Sequence, residues 1–267
     1  MKKPIIITAF NDNPTYYSFV ESSFKMWKKF GYNIKAAYIS NNHNPEVIKN
    51  TEKYGEIIKY PNINGIESGV QSKISRMILA SEQSYFWIVD IDWYILNINW
   101  FEEKFKLFNG MNIVAQDVYG GNNTDSTKWP MWSNFGSGNK LKEIINPNNL
   151  NYEELIKTWQ NIGSKFDIME DVNNSFKQFS DESLMRRLFN DANYDIKRYK
   201  RMEPNIFNSH VNSPLYYRNV WRRIDRAWNW NYYKEDIENG QYLDCFPKRP
   251  LNKKDHVISE IFKYIDI

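Results

Sequence analysis

Two carboxylates, Asp90 and Asp92, interrupt an apolar, aromatic run that reads YFWIVDIDWYI over residues 85–95. Its β-branched and aromatic side chains predict a buried strand. Carboxylates are rarely buried unless a cation or hydrogen bonds compensate them. In an extended chain, residues i and i+2 face the same side, so Asp90 and Asp92 can converge on one hard cation such as Mg2+ or Mn2+. An ion held by two carboxylates at a strand end keeps positions open for a substrate phosphate. The competing reading is a charged turn after a core strand, with solvated acids, and the D-x-D pattern by itself is too short to decide.

Three further groups could carry chemistry. Lys73 and Arg76 lie three apart in QSKISRM, residues 71–77, and so share a helix face. Arginine binds phosphate bidentately and lysine as a point charge, while the plain alternative is an exposed basic face. Ser180, Asp181 and Glu182 open a helical pattern. Acids there either complement the helix dipole or aim a carboxylate at a sugar hydroxyl or at the proton of an attacking hydroxyl. His210 is isolated in NSHV. A lone histidine is commonly structural, but here it is a candidate third ligand, and imidazole suits Mn2+ better than Mg2+. His43 and His256 sit in polar, loop-like contexts and receive no role. The stretch from Tyr216 and Arg218 through Trp221, Arg222 and Arg226 to Trp230 mixes arginines with aromatics. It fits a structural helix, a sugar-stacking surface, or a patch on anionic membrane across residues 216–233.

The elements that must position these groups follow from periodicity and turn residues. Strands are expected at 4–10, 34–39, 57–60 and 85–89, and helices at 16–30, 45–54 and 69–82. NDNP at 11–14 marks a turn, 61–65 a loop, and Gly31 a helix C-cap. This alternation implies an α/β fold with a mostly parallel sheet flanked by helices. In such sheets ligands bind beyond the carboxyl ends of the strands, so the NDN turn and the paired aspartates share a rim. The second half predicts a strand at 113–118, a loop at 120–138, helices at 151–163 and 180–190, and a closing amphipathic helix at 259–267 within an elaborated helical C-terminal segment. No repeat or linker divides the chain. It is read as a single domain, 1–267, with a nucleotide-binding half at 1–95, an acceptor and catalytic half at 96–212, and a basic-aromatic extension at 213–267.

The totals bound the function. A chain of 267 residues with 42% hydrophobic residues can bury a substantial core. A net charge of +3 does not call for a nucleic-acid partner. The single cysteine, Cys245, allows no internal disulfide and no cysteine-rich zinc site. The three isoleucines after Pro4 are too few for a secretory signal, and no apolar run approaches the ~18 residues of a membrane span. The expected location is cytoplasmic, with peripheral membrane contact through the basic-aromatic extension as a separate hypothesis.

In order, the chain shows a first strand ending T-A-F-N-D at 8–12, K-x-x-R at 73–76, D-x-D at 90–92, D-E at 181–182 and His210. This series resembles the GT-A-fold glycosyltransferases that use nucleotide-sugar donors, in particular the glycogenin and lipopolysaccharide galactosyltransferase group and related bacterial and viral enzymes. The resemblance covers residues 4–212. It implies a GT-A-like fold and metal-dependent transfer of a hexose or deoxyhexose from a UDP- or GDP-sugar to a glycan or glycolipid. It implies that Thr8, Ala9, Phe10, Asn11 and Asp12 line the nucleobase and ribose pocket, and that Lys73 and Arg76 contact the nucleotide or donor sugar. Asp90 and Asp92 would bind Mn2+ or Mg2+ bridging the diphosphate, with Ile91 between them in the donor site and His210 completing the metal site. Asp181 and Glu182 would face the sugars, one of them as general base if the reaction inverts. After His210 the chain reads VNSPLYY, where the group carries a glycine and then a phosphate-holding lysine. That role would pass to Arg218 or Arg222, and stereochemistry stays open. The acceptor would lie between residues 120–138 and the basic-aromatic tail. Two other functions compete. A nucleotidyltransferase would usually carry a glycine-rich phosphate loop, which NDNPT is not, and a non-catalytic carbohydrate-binding protein would leave the buried D-x-D unexplained.

Overall fold

The computed structural model describes residues 3–106, 112–115, 131, 133–165, 169–172, 176–179, 181, 184–185, 188, 196–199, 234–235, 238, 244–247, 249–253 and 255–267. The first strand, β1 (Ile5–Asn11), is built of isoleucines buried on both faces. The turn after it is closed by Asn13, whose side chain accepts from the Thr15 amide and caps α1 (Pro14–Tyr17). The single helix expected at 16–30 is two, because the chain breaks at Ser18 and Phe19 before α2 (Val20–Lys29). Gly31 follows with φ of 74°, and its amide bonds the Lys28 carbonyl, the left-handed stop that its sequence position predicts. The next elements are β2 (Ile34–Ile39), α3 (Pro45–Thr51), β3 (Glu56–Tyr60), α4 (Ser68–Ser81) and β4 (Tyr85–Val89). Each lies within about one residue of its expected bounds, except that α3 ends three residues before the expected Tyr54. His43, read as a loop histidine, donates Nε2–H to the carbonyls of Tyr38 and Tyr60 and ties the ends of β2 and β3 together.

Beyond β4 come β5 (Tyr94–Ile95), α5 (Ile98–Lys106), β6 (Asn112–Ala115), β7 (Ser133–Ser137), α6 (Gly138–Ile145) and α7 (Tyr152–Lys165). The chain continues through β8 (Met169–Val172), β9 (Phe176–Phe179), β10 (Ile196–Tyr199), β11 (Asp244–Cys245) and α8 (His256–Ile265). Among the described residues, seven strands form one sheet in the order β10-β6-β7-β4-β1-β2-β3. Strands β4, β1, β2 and β3 run parallel, as do β6 and β10, and β7 is reversed between β4 and β6. This is the mostly parallel α/β architecture expected. Also among the described residues, β11 pairs with β5 and β8 with β9 in small antiparallel sheets separate from it.

Alternation along the strands builds a core on each face. In β1 and β4, Ile6, Trp87 and Val89 face a cluster with Phe24 and Trp27 of α2, Phe101 and Phe105 of α5, and Ile258 and Ile261 of α8. Ile7, Phe86 and Ile88 face the other side, against Ile74 and Met77 of α4, Leu141 of α6 and Trp159 of α7. Trp27 and Trp87 meet edge to face with centroids 5.0 Å apart. Such pairs add about 0.5–1.5 kcal/mol beyond the area they bury.

The loop expected at 120–138 is corrected by β7 and by the start of α6. SNFGS has no apolar alternation, so nothing local specifies a strand. Its neighbours do: β4 and β6 supply ladders on both sides, the Trp87 indole donates to Ser133 Oγ at 2.9 Å, and Phe135 stacks on Phe105 at 4.5 Å. Gly138 is required by close approach, since a Cβ there would lie 1.8 Å from the Gln83 carbonyl oxygen. The closing helix begins earlier than expected and takes in His256, and β10 is a strand that the sequence reading did not anticipate. Of the helix expected at 180–190, Asp181, Leu184, Met185 and Leu188 are described and helical.

Candidate active site

The sheet order reverses between β1 and β4. From β1 the chain builds outward through β2 to β3, then returns to place β4 on the other flank. At such a switch point the loops leaving the carboxyl ends of the two strands part in opposite directions and open a crevice. Asn11 ends β1 and Asp12 opens the loop after it, and the loop after β4 carries Asp90 and Asp92. The expected shared rim is therefore present.

On the β1 side, the Asn11 amide donates to Ser68 Oγ at 2.9 Å, and its oxygen accepts from the Asn13 amide. Asp12 accepts from Tyr38 through one oxygen and from Ser40 through the other, both at 2.6 Å. Burial of the Tyr38 phenol pushes its pKa up to about 12, with the nearby Asp12 charge adding and the Asn44 amide opposing. Thr8 and Phe10 are buried, Ala9 is half-buried, and Asp12 is exposed. Of the residues expected to line the nucleotide pocket, Asp12 thus presents itself most openly, while Phe10 stacks on Tyr38 at 4.5 Å and supports the loop from within.

On the β4 side, the strand stops at Val89, and residues 90–93 turn, closed by the Trp93 amide on the Asp90 carbonyl at 3.2 Å. The extended geometry that would aim Asp90 and Asp92 alike is therefore replaced by a turn, and each carboxylate meets a different arginine. Arg76 of α4 donates Nη1 to Asp90 at 2.7 Å and Nη2 to Asp181 at 2.6 Å. The three side chains are 10%, 21% and 5% exposed, with Asp90 the open member. Burial disfavours the Arg76 charge, but the attraction of Asp181 and Asp90 and the bonds to both outweigh it and hold its pKa above the ordinary arginine value. Arg76 is thus turned inward, and Lys73, three residues before it on α4, is half-buried. Asp181, expected to face the sugars, is buried on Arg76.

Asp92 lies deeper, its side chain 1% exposed, and its Oδ2 accepts from Nε of Arg249. Arg249 also donates Nη1 to the Tyr16 hydroxyl at 2.9 Å and stacks over that ring at 4.5 Å. Arg249 therefore links the turn after β4 to α1, the helix that follows the β1 loop. Sequence reasoning missed it. It follows a lysine and precedes a proline, with no apolar pattern nearby and 157 residues from its partner.

The oxygens of Asp90 and Asp92 are the hard donors that Mg2+ or Mn2+ prefer, so the pair fits such an ion by chemistry. Among the described residues no group of three or more His, Cys, Asp or Glu is placed to hold a metal. Glu182, His210, Arg218 and Arg222, together with residues 120–130 and 216–233, lie outside the described residues. Among the described residues no helix is long and apolar enough to cross a membrane.

No protein-family model matches the sequence. No curated protein matches it either. Solved structures with TM-scores above 0.5 share its fold. The glycosyltransferase GlyE of Streptococcus pneumoniae TIGR4 is similar at a TM-score of 0.56 and 13% identity, over 100% of this chain and 61% of GlyE. The apo form of GlyE gives 0.52 and 12% over the same shares. The galactosyltransferase LgtC, in complex with donor and acceptor sugar analogs, gives 0.45 and 12% over 88% of this chain and 95% of LgtC. The chain adopts the GT-A type of α/β fold and spans about three-fifths of the length of GlyE.

Proposed function

We propose that this chain is a glycosyltransferase that moves a hexose or deoxyhexose from a UDP- or GDP-sugar to a glycan or glycolipid acceptor. One observation carries the reading. In a GT-A fold, acid-bearing segments after β1 and β4 flank the switch point of the sheet, with Asp90 partly open there and bonded to Arg76.

Each residue then has a part. Asp12, oriented by Tyr38 and Ser40, is an acceptor for the hydroxyls of the nucleoside. Asp90 and Asp92 would hold Mg2+ or Mn2+, which when bound offsets charge on the departing diphosphate. Arg76 fixes the Asp90 carboxylate in one orientation before substrate arrives, which removes reorganisation from the reaction. In the transfer, the bond between the anomeric carbon and the diphosphate oxygen breaks with its electron pair leaving on the nucleotide. The acceptor hydroxyl oxygen bonds that carbon and gives up its proton. Asp181, bonded to Arg76, acts as a positioning residue, and the base that an inverting reaction needs passes to Glu182.

The test is nucleoside diphosphate release from a panel of UDP- and GDP-sugars with Mn2+. Release from one donor, reduced about 10²-fold or more in Asp90→Ala at unchanged circular dichroism, is the expected result. Pyrophosphate as the product would replace this reading with nucleotidyl transfer. No thermal stabilisation by any nucleotide would replace it with carbohydrate binding alone.

A further inference from the structure

Arg249 is brought to Asp92 by a segment fixed on both sides. Upstream, Asp244 and Cys245 of β11 pair with Ile95 and Tyr94 of β5, two residues beyond Asp92. Downstream, the Leu251 amide bonds Ser18 Oγ at 2.8 Å, Lys253 pairs with Glu21 at 3.0 Å, and Ile258, Ile261 and Ile265 enter the core. The backbone thus delivers one guanidinium to one carboxylate, between the two loops of the crevice. A carboxylate as buried as Asp92 is costly without a cation. Arginine cannot release its charge by deprotonation, so the Oδ2 that Arg249 holds is freed only if the guanidinium moves or another cation takes that oxygen.

We propose that Arg249 is the counter-ion of Asp92 in the metal-free site and competes with a divalent cation for that carboxylate. The proposal rests on the transferase reading only in assigning a metal to this turn. Arg249 has a second seat. Its Nη1 bond to the Tyr16 hydroxyl and its stack on the Tyr16 ring do not involve Asp92, so a guanidinium displaced from the carboxylate stays in the crevice. There it presents free donors of the geometry that suits a diphosphate. The cost is that a metal binds only the fraction of molecules in which Asp92 is released, which weakens its apparent affinity by that fraction.

The experiment is Mn2+ binding without nucleotide, followed by the electron paramagnetic resonance signal of the free ion. Wild type is compared with Arg249→Met, Ser18→Ala and Asp92→Asn. Arg249→Met is expected to bind Mn2+ about 10-fold tighter or more, and to gain more thermal stability from it than wild type does. Ser18→Ala keeps every charge but unseats the Leu251 amide, and should tighten binding to a smaller extent. Combining Asp92→Asn with Arg249→Met should abolish the gain. If Arg249→Met does not fold, Ser18→Ala and Arg249→Lys carry the test, the lysine lacking the fork that reaches Asp92 and Tyr16 together. Unchanged or weaker Mn2+ binding in the folded variants overturns the proposal, as does tightening that survives Asp92→Asn or the absence of Mn2+ binding throughout. A protein that releases nucleoside diphosphate while its Mn2+ affinity ignores Arg249 removes this inference and leaves the transferase reading standing.

Discussion

Replacing Arg76 with methionine separates two roles for the residue. If Arg76 were chiefly a ligand contact, its loss would lower donor binding and barely touch stability. The structure argues for a large stability effect. One guanidinium serves two carboxylates, at 2.7 Å and 2.6 Å, and the Asp181 side chain is only 5% exposed. Removing one partner of a buried pair leaves the other charge uncompensated and costs about 3–5 kcal/mol. Asp90, 21% exposed, recovers part of its hydration and contributes the smaller share. At the usual unfolding entropy per residue, such a loss lowers the melting temperature of a 267-residue chain by roughly 5–9 °C. Differential scanning calorimetry of Arg76→Met, Asp181→Asn and the double variant measures it. The double variant should recover part of the loss, because an asparagine at 181 needs no counter-charge, with a coupling of about 0.5–3 kcal/mol. An Arg76→Met protein melting within about 2 °C of wild type, or a double variant worse than the sum of the singles, would refute the buried-triad account.

Gly138→Ala should cost at least about 1–3 kcal/mol, because its Cβ would overlap the Gln83 and Ala80 carbonyl oxygens at the end of α4; an unchanged urea midpoint would show that β7 and α6 can shift to admit it. Alkaline titration should unfold the protein in a defined window. Burial raises the Tyr38 phenol to about 12 and moves Tyr32, Tyr60 and Tyr94 the same way. The folded state keeps phenol protons that an unfolded chain releases near 10, so this stability is complete below about pH 10 and is lost as pH rises through 10 towards 12. A late rise in phenolate absorbance should coincide with loss of ellipticity, and complete ionisation near 10 with the fold intact would contradict it.

The first half of the fold was legible because its local signals agree. Isoleucine-rich strands, asparagine caps before Pro14 and Pro45, and Gly31 after α2 each say the same thing at short range and in the tertiary structure. The failures share one cause. β7 has no strand pattern of its own and exists because β4 and β6 flank it, and the break between α1 and α2 sits inside a continuous apolar periodicity. Information held in distant partners cannot be read from a short window.

The same division runs through the site. Asp90 and Asp92 stood out because carboxylates in an apolar run must be compensated, and they are. Which cation compensates each depends on residues far along the chain. Asp181 lies 105 residues from Arg76, and Arg249 lies 157 from Asp92. The prediction that the two acids face one way assumed that β4 continues through them, whereas the chain turns at Asp90 and sends them to separate arginines. That turn matters for function. It leaves Asp90 partly exposed on a rigid arginine support and sinks Asp92 beneath a second arginine that also touches the β1 side of the crevice. A metal would meet one carboxylate that is ready and one that is guarded. If the proposed metal binds here, its affinity would depend on Arg249, on the C-terminal segment, as much as on the acids that mark the site in the sequence.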